Sequence, residues 1–346
     1  MKLDSPIRRT ILIFISLSGG LILFLSLRTF GSRTLEAMAR IRLGYLLLAL
    51  GLLGLANLFD MLQLRILAKA LGVKLTWRYA AKSMYMYYFI SNITPTATGG
   101  EPLMIYMLSQ KGLRVGKASV LVVVRGFLQI VLIAVTGPLV IYFHRDLVNE
   151  AGLKLVFDYA LVILSILGTL LVCALVWPKK VEKISIQLIE KLVSRFGGRF
   201  RSGANVIERR IKIWVKDFIF NLKKFFTRQR RSVLQAGMLT IASWLSYNMI
   251  AFVVLKGLNY PLHLGKVFMV EIVVYFLLYF SPTPGGSGIA EGGFYLLFAP
   301  LVPQYLLGIF VILWRFFTSY LLVLVGGLIT IKTMGIDQLE KIKRLG

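Results

Sequence analysis

The chain alternates long apolar stretches with short polar breaks. Apolar runs at roughly 10 to 27, 43 to 64, 118 to 143, 155 to 177, 233 to 256 and 305 to 331 are each long enough to cross a bilayer core of about 30 Å as helix. Two shorter runs, 79 to 94 and 266 to 281, each lead into a cluster of Pro, Gly, Thr and Ser followed by an acid. Helices stop at such clusters, because Pro lacks a backbone N–H and Gly adopts conformations that other residues avoid. The pattern predicts an all-α polytopic membrane protein with two broken or re-entrant helical hairpins.

The two clusters look like copies. The first reads Pro95-Thr96-Ala97-Thr98-Gly99-Gly100-Glu101 and the second Pro282-Thr283-Pro284-Gly285-Gly286-Ser287-Gly288-Ile289-Ala290-Glu291. Each follows a Tyr-rich apolar stretch, 85 to 90 and 275 to 280. In each, an arginine inside apolar sequence lies 24 positions after the acid: Arg125 after Glu101, and Arg315 after Glu291. We read one integral membrane domain over 1–346, with a first repeat at 43–143, a basic amphipathic segment at 178–231 and a second repeat at 233–332.

The net charge of +26 would point to nucleic acid in a soluble protein. Here 57% of residues are apolar and the mean hydropathy is +0.76, so no nucleic-acid partner is expected. Basic residues gather in 2 to 9, 65 to 82, 111 to 117, 179 to 231 and 332 to 344, while 257 to 265 and 299 to 305 are nearly uncharged. By the positive-inside rule the basic loops face the cytoplasm, with both termini there, in the inner cell membrane. Arg28, Arg33, Arg40 and Arg42 run against this placement. The first run lacks an Ala-x-Ala cleavage site and is read as an uncleaved helix. The same topology makes the first hairpin open to the cytoplasm and the second to the outside. That is the inverted-repeat arrangement of secondary transporters, in which broken helices meet near the midplane.

In the basic segment, apolar residues recur at Ile184, Leu188, Leu192 and Phe196, and again at Ile207, Ile211, Trp214, Phe218, Leu222 and Phe225. This predicts two amphipathic helices separated near Gly197-Gly198. They either lie on the anionic cytoplasmic leaflet or pack on the bundle.

The candidate substrate-binding residues are Asn92, Gly99, Gly100, Glu101, Arg125, Gly285, Gly286, Ser287, Gly288, Glu291 and Arg315, with Pro95, Pro282 and Pro284 as hinges. A helix starting behind a glycine-rich turn presents free N–H groups to an anion. An acid and an arginine at membrane depth need partners, and one Glu–Arg pair within each half is expected, although cross pairing fits equally well. The blander readings are that the glycines allow tight packing and that the acids cap their helices. Asp60 is expected to pair with Arg65. Tyr85, Tyr87, Tyr88, Tyr275 and Tyr279 read first as packing aromatics. Cys173 is the only cysteine, and His144 and His263 lie outside the motifs, so neither metal nor cofactor is expected.

The hairpin motifs, the arginines after them and the hydropathy profile resemble the flippase-like membrane family. That family includes the membrane region of lysylphosphatidylglycerol synthase, also called multiple peptide resistance factor, and the similarity runs from about 8 to 335. The resemblance implies movement of lipids between leaflets, without enzymatic activity, in a stand-alone member lacking the soluble aminoacyl transferase domain. The expected cargo is an anionic, aminoacylated or polyprenyl-linked lipid carried by alternating access, with membrane lipids, above all anionic phospholipid, as partners and a homodimer as a further expectation. Two alternatives stay open. Gly286 to Glu291 is similar to the filter motif of chloride channels and exchangers, which implies an anion or ion-coupled solute transporter. Relatives linked to glycosyl transfer imply an integral-membrane transferase acting on a lipid carrier.

Overall fold

In the computed structural model, the described residues are 6–143, 176–196, 201–279 and 281–343, with scattered positions between 162 and 173. His144, the loop at 144 to 158, most of the apolar run 155 to 177, and Gly197-Gly198 lie outside them. Among the described residues the regular structure is entirely helical. α1 (Pro6–Thr29) and the short α2 (Ser32–Ala39) precede α3 (Leu43–Ala70), α4 (Trp77–Ile93), α5 (Gly100–Ser109) and α6 (Val115–Phe143). The basic segment forms α7 (Pro178–Phe196) and α8 (Arg201–Arg228). There follow α9 (Arg230–Gly257), α10 (Leu264–Tyr279), α11 (Ile289–Phe298), α12 (Gln304–Arg315) and α13 (Leu321–Lys343).

Among the described residues, four helices are long and apolar enough to cross a membrane: Leu43–Ala70, Val115–Gly137, Arg230–Gly257 and the continuous Gln304–Thr333. They coincide with four of the six long runs read from the sequence. Together they make the chain an all-α polytopic membrane protein. The order long helix, helix, 3-10 turn, short helix, long helix occurs twice, over α3 to α6 and over α9 to α13.

α3 and α9 form the most extensive helix pair and run antiparallel. Gln63 donates to Thr240 Oγ1 at 2.6 Å, Ser243 donates to the Ala56 carbonyl at 3.3 Å, and the Arg42 N–H reaches the Gly257 carbonyl at 3.0 Å. As one helix is followed forward, its partner is followed backward.

Each hairpin leans on the other half. α4 packs on α13, where Gly326 sits so close to the Tyr85 carbonyl and Phe89 that a Cβ would collide with backbone. α10 packs on α6, where a Cβ on Gly137 would come within 2.6 Å of the Phe276 ring. Small residues at such crossings let helices approach where no hydrophobic force drives association. The 3-10 turns of the two hairpins touch each other.

The heaviest packing lies in the second half. Phe294 stacks on Trp314 at 4.1 Å and contacts Phe298 and Phe310 at 4.4 and 4.8 Å. These rings fill the space between α11 and α12 and hold the short returning helix against a long one.

α8 is docked on the bundle. Val215, Ile219, Leu222 and Phe225 are buried, Trp214 Nε1 donates to Ser119 Oγ at 3.2 Å, and Phe226 meets Phe127 edge-on at 6.2 Å. Of the two placements left open by the amphipathic pattern, packing on the bundle holds for this helix.

Candidate functional site

The backbone breaks in the same way in both hairpins. A residue before proline is pushed to extended geometry, and Thr94 (φ −105°, ψ 143°) and Thr283 (φ −86°, ψ 151°) obey that rule. The next two residues after the proline are left-handed in both copies: Thr96 (φ 52°) and Ala97 (φ 56°), then Gly285 (φ 58°) and Gly286 (φ 67°). Pro284 therefore takes the place of Pro95, and Pro282 stands two residues outside the shared turn.

Between the two turns lies a cavity of about 460 Å³, within the ~300–1,000 Å³ range of small-molecule sites. Among the predicted residues, Asn92, Glu101, Arg125, Gly285, Gly286 and Arg315 line it. The others stand behind the wall. A Cβ on Gly99 would come within 2.6 Å of Thr94, and one on Gly100 would strike Ser91 and the Tyr87 ring, so these glycines serve the α4–α5 contact. Ser287 Oγ donates to the Pro284 carbonyl and accepts from Ser18, both at 2.8 Å, in buried surroundings. The Gly288 N–H is taken by Glu291 Oε2 at 2.8 Å, which makes that acid a cap for its own helix.

The second Glu–Arg pair forms as expected. Arg315 Nε donates to Glu291 Oε1 at 2.8 Å and its NH2 reaches the Gly285 carbonyl at 3.1 Å. Tyr320 adds a hydroxyl to Glu291 at 3.2 Å. The acid is fully buried.

The first pair does not form directly. Arg125 Nε donates to Gln63 Oε1 at 3.0 Å, and its NH2 stands 3.9 Å from Asp60. The guanidinium also lies over the Tyr87 ring, 4.8 Å from its centroid. Glu101 accepts a hydrogen bond from the Tyr87 hydroxyl at 3.1 Å. Asp60 accepts from Tyr88 and faces Arg125, so the expected pairing with Arg65 is replaced. Arg65 instead caps the Leu75 carbonyl at 3.0 Å and sits over Trp77. The reason is helical spacing: residues five apart on one helix point to different faces, so Asp60 turns to the cavity and Arg65 to Leu75 and Trp77.

Several wall residues escaped the motif reading. Gln63 lies one turn after Asp60, and Thr240, Ser243 and Tyr247 recur on one face of α9 at spacings of three and four. A polar stripe along an otherwise apolar helix is the signal that marks them. Thr318 and Ser319 come from a π-helical stretch, Phe316–Tyr320, directly after Arg315. Such bulges are frequent at functional sites, and this one turns Ser319 to donate to Asn92 Oδ1 at 2.9 Å while Tyr320 reaches Glu291. No proline or glycine announces it.

The lysylphosphatidylglycerol synthase TM region family matches residues 11–326. The chain belongs to this family. A UPF0104 membrane protein of Archaeoglobus fulgidus is 23% identical over 279 residues, covering 77% of this chain and 80% of that protein. The family match spans both hairpins, the cavity and the basic segment between them. It ties the chain to membrane-lipid-related proteins and gives the polar cavity, set in an apolar bundle, its context.

Proposed function

We propose that the protein is a lipid flippase or scramblase, in which the cavity holds a headgroup while the acyl tails stay in the bilayer. The observation that supports this most is the meeting of two broken hairpins around one polar cavity inside an apolar helix bundle. Antiparallel α3 and α9, and hairpins that each pack on the other half, fit an inverted repeat. Rocking of one half against the other would open the cavity to either side in turn.

The charge inventory narrows the cargo. Arg315 is held by Glu291 and the Gly285 carbonyl, whereas Arg125 donates through Nε to Gln63 and has only a 3.9 Å contact from a terminal nitrogen to Asp60, so Arg125 is the better placed of the two to take a phosphate. Asp60 and Glu101 also face the cavity, accepting from the Tyr88 and Tyr87 hydroxyls. A headgroup bearing both a phosphate and an ammonium, as in aminoacylated phospholipids, would satisfy all three, the phosphate on Arg125 and the ammonium on the acids. The Ser287 to Glu291 stretch is turned away from the cavity toward its own helix and α1, which leaves the anion-filter reading without a lined pathway.

The test is transbilayer movement of labelled lipids in proteoliposomes, with phosphatidylglycerol, aminoacylated phosphatidylglycerol and phosphatidylcholine compared. The expected result is movement of phosphate lipids carrying a primary amine, abolished by Arg125→Ala and weakened by Glu101→Gln. Folded protein that moves none of these lipids overturns the proposal, and chloride flux would then be measured.

A further inference from the structure

We propose that the groove between α7 and the C-terminal half of α8 binds the headgroup of an anionic phospholipid, at a site separate from the central cavity. The groove encloses about 450 Å³. Lys179 from α7 converges there with Lys223, Lys224 and Arg228 from α8, against a single acid, Glu182. None of these four cations forms an ion pair among the described residues. Like charges held at helical spacing repel one another, and a bound anion relieves that repulsion.

The groove is rigidly mounted. Phe220, Lys223, Lys224, Thr227 and Arg228 lie on one side of α8, at spacings of three and four. Leu222 and Phe225 on the other side are buried against the bundle. The cations therefore do not follow a free linker. They stand at a fixed place beside the long helices.

Two apolar features select a lipid over a free phosphate. Phe220, on the groove wall, is 67% exposed, and Trp177, immediately before α7, is 52% exposed. Trp177 closes the apolar run 155 to 177, where an interfacial aromatic belongs. A headgroup phosphate can sit among the four cations while its acyl chains run along these rings toward the bilayer. A soluble phosphate ester gains nothing from the rings.

The test uses the full chain in neutral detergent, with bound lipid counted by native mass spectrometry on titration with phosphatidylglycerol or phosphatidylcholine. The expected preference for phosphatidylglycerol is ~10-fold or more, as several clustered basic residues produce near an anionic surface. Lys223→Gln/Lys224→Gln/Arg228→Gln should remove that preference. Lys69→Gln/Lys74→Gln/Arg78→Gln, which takes the same charge from exposed positions elsewhere, should leave it intact. Thermal unfolding without lipid confirms that both triple variants are folded. Equal loss in both variants, absence of a preference, or competition by glycerol phosphate at the lipid's own concentration would each overturn the proposal. The central cavity is separated by Arg125→Ala, which should leave binding at the groove unchanged.

Discussion

The two hairpin tips share one backbone turn and differ in almost everything around it. In the second tip Pro284, Gly286 and Ser287 are buried, the left-handed positions are glycines, and Glu291 is bound by Arg315, Tyr320 and its own helix. In the first, Pro95 to Thr98 are exposed, the left-handed positions are Thr96 and Ala97, and Glu101 accepts from the Tyr87 hydroxyl and lacks the direct arginine bond that Glu291 has. A non-glycine residue in that region costs roughly 1–2 kcal/mol, most severely with a β-branched side chain. The second tip is built as a lock and the first carries strain beside the open part of the cavity. Strain of this kind tends to be kept where a segment must move or grip a ligand.

The sharpest way to break that comparison is to remove the arginines separately. Arg315→Ala strands the buried Glu291 and should cost about 3–5 kcal/mol, seen as a large fall in the thermal midpoint of detergent-purified protein. Arg125→Ala leaves Asp60 facing a cavity with Tyr88 still bonded to it, and should cost only about 1–2 kcal/mol while abolishing transport. Equal losses of stability would erase the distinction between lock and working half.

A double-mutant cycle sharpens it further. The coupling between Glu291→Gln and Arg315→Gln should be about 2–3 kcal/mol, whereas that between Glu101→Gln and Arg125→Gln should lie below about 0.5 kcal/mol, since those two side chains share no direct bond. Coupling of similar size in both halves would mean that the first pair forms in solution.

Swapping the turn residues tests strain alone. Gly285→Thr should destabilise by about 1–2 kcal/mol, because a side chain enters a left-handed position. Thr96→Gly relieves that penalty but adds unfolded-chain entropy, so a gain of no more than about 1 kcal/mol is expected. The smallest contrast is at the phenols. Tyr320→Phe removes a bond to a fully buried acid and should cost ~0.5–1.5 kcal/mol, with Tyr87→Phe below that, because Glu101 remains open to the cavity.

Much of this was legible in the apolar pattern. Four of the six run lengths gave the spanning helices seen among the described residues, and the duplicated Pro, Gly, acid and arginine spacing led to the hairpins and to both arginines of the cavity. The Glu291–Arg315 pair was also readable, since the acid in the first turn and the arginine 24 residues on come from adjacent packed helices. The Glu101–Arg125 pairing was not, although the spacing is the same. Arg125 finds Gln63 and Asp60 on α3, a helix that no motif links to it.

The sequence by itself determined what bilayer physics dictates locally: which stretches become helices, and where proline and glycine clusters interrupt them. Those outcomes depend on near neighbours and on the cost of burying backbone. Tertiary structure alone decided which polar side chains face the cavity and which face their own helix. Equal spacing along two chain segments fixes equal reach, but the partner within reach is supplied by a third helix, and α3 offers acceptors to the first arginine while the second is left with its own acid.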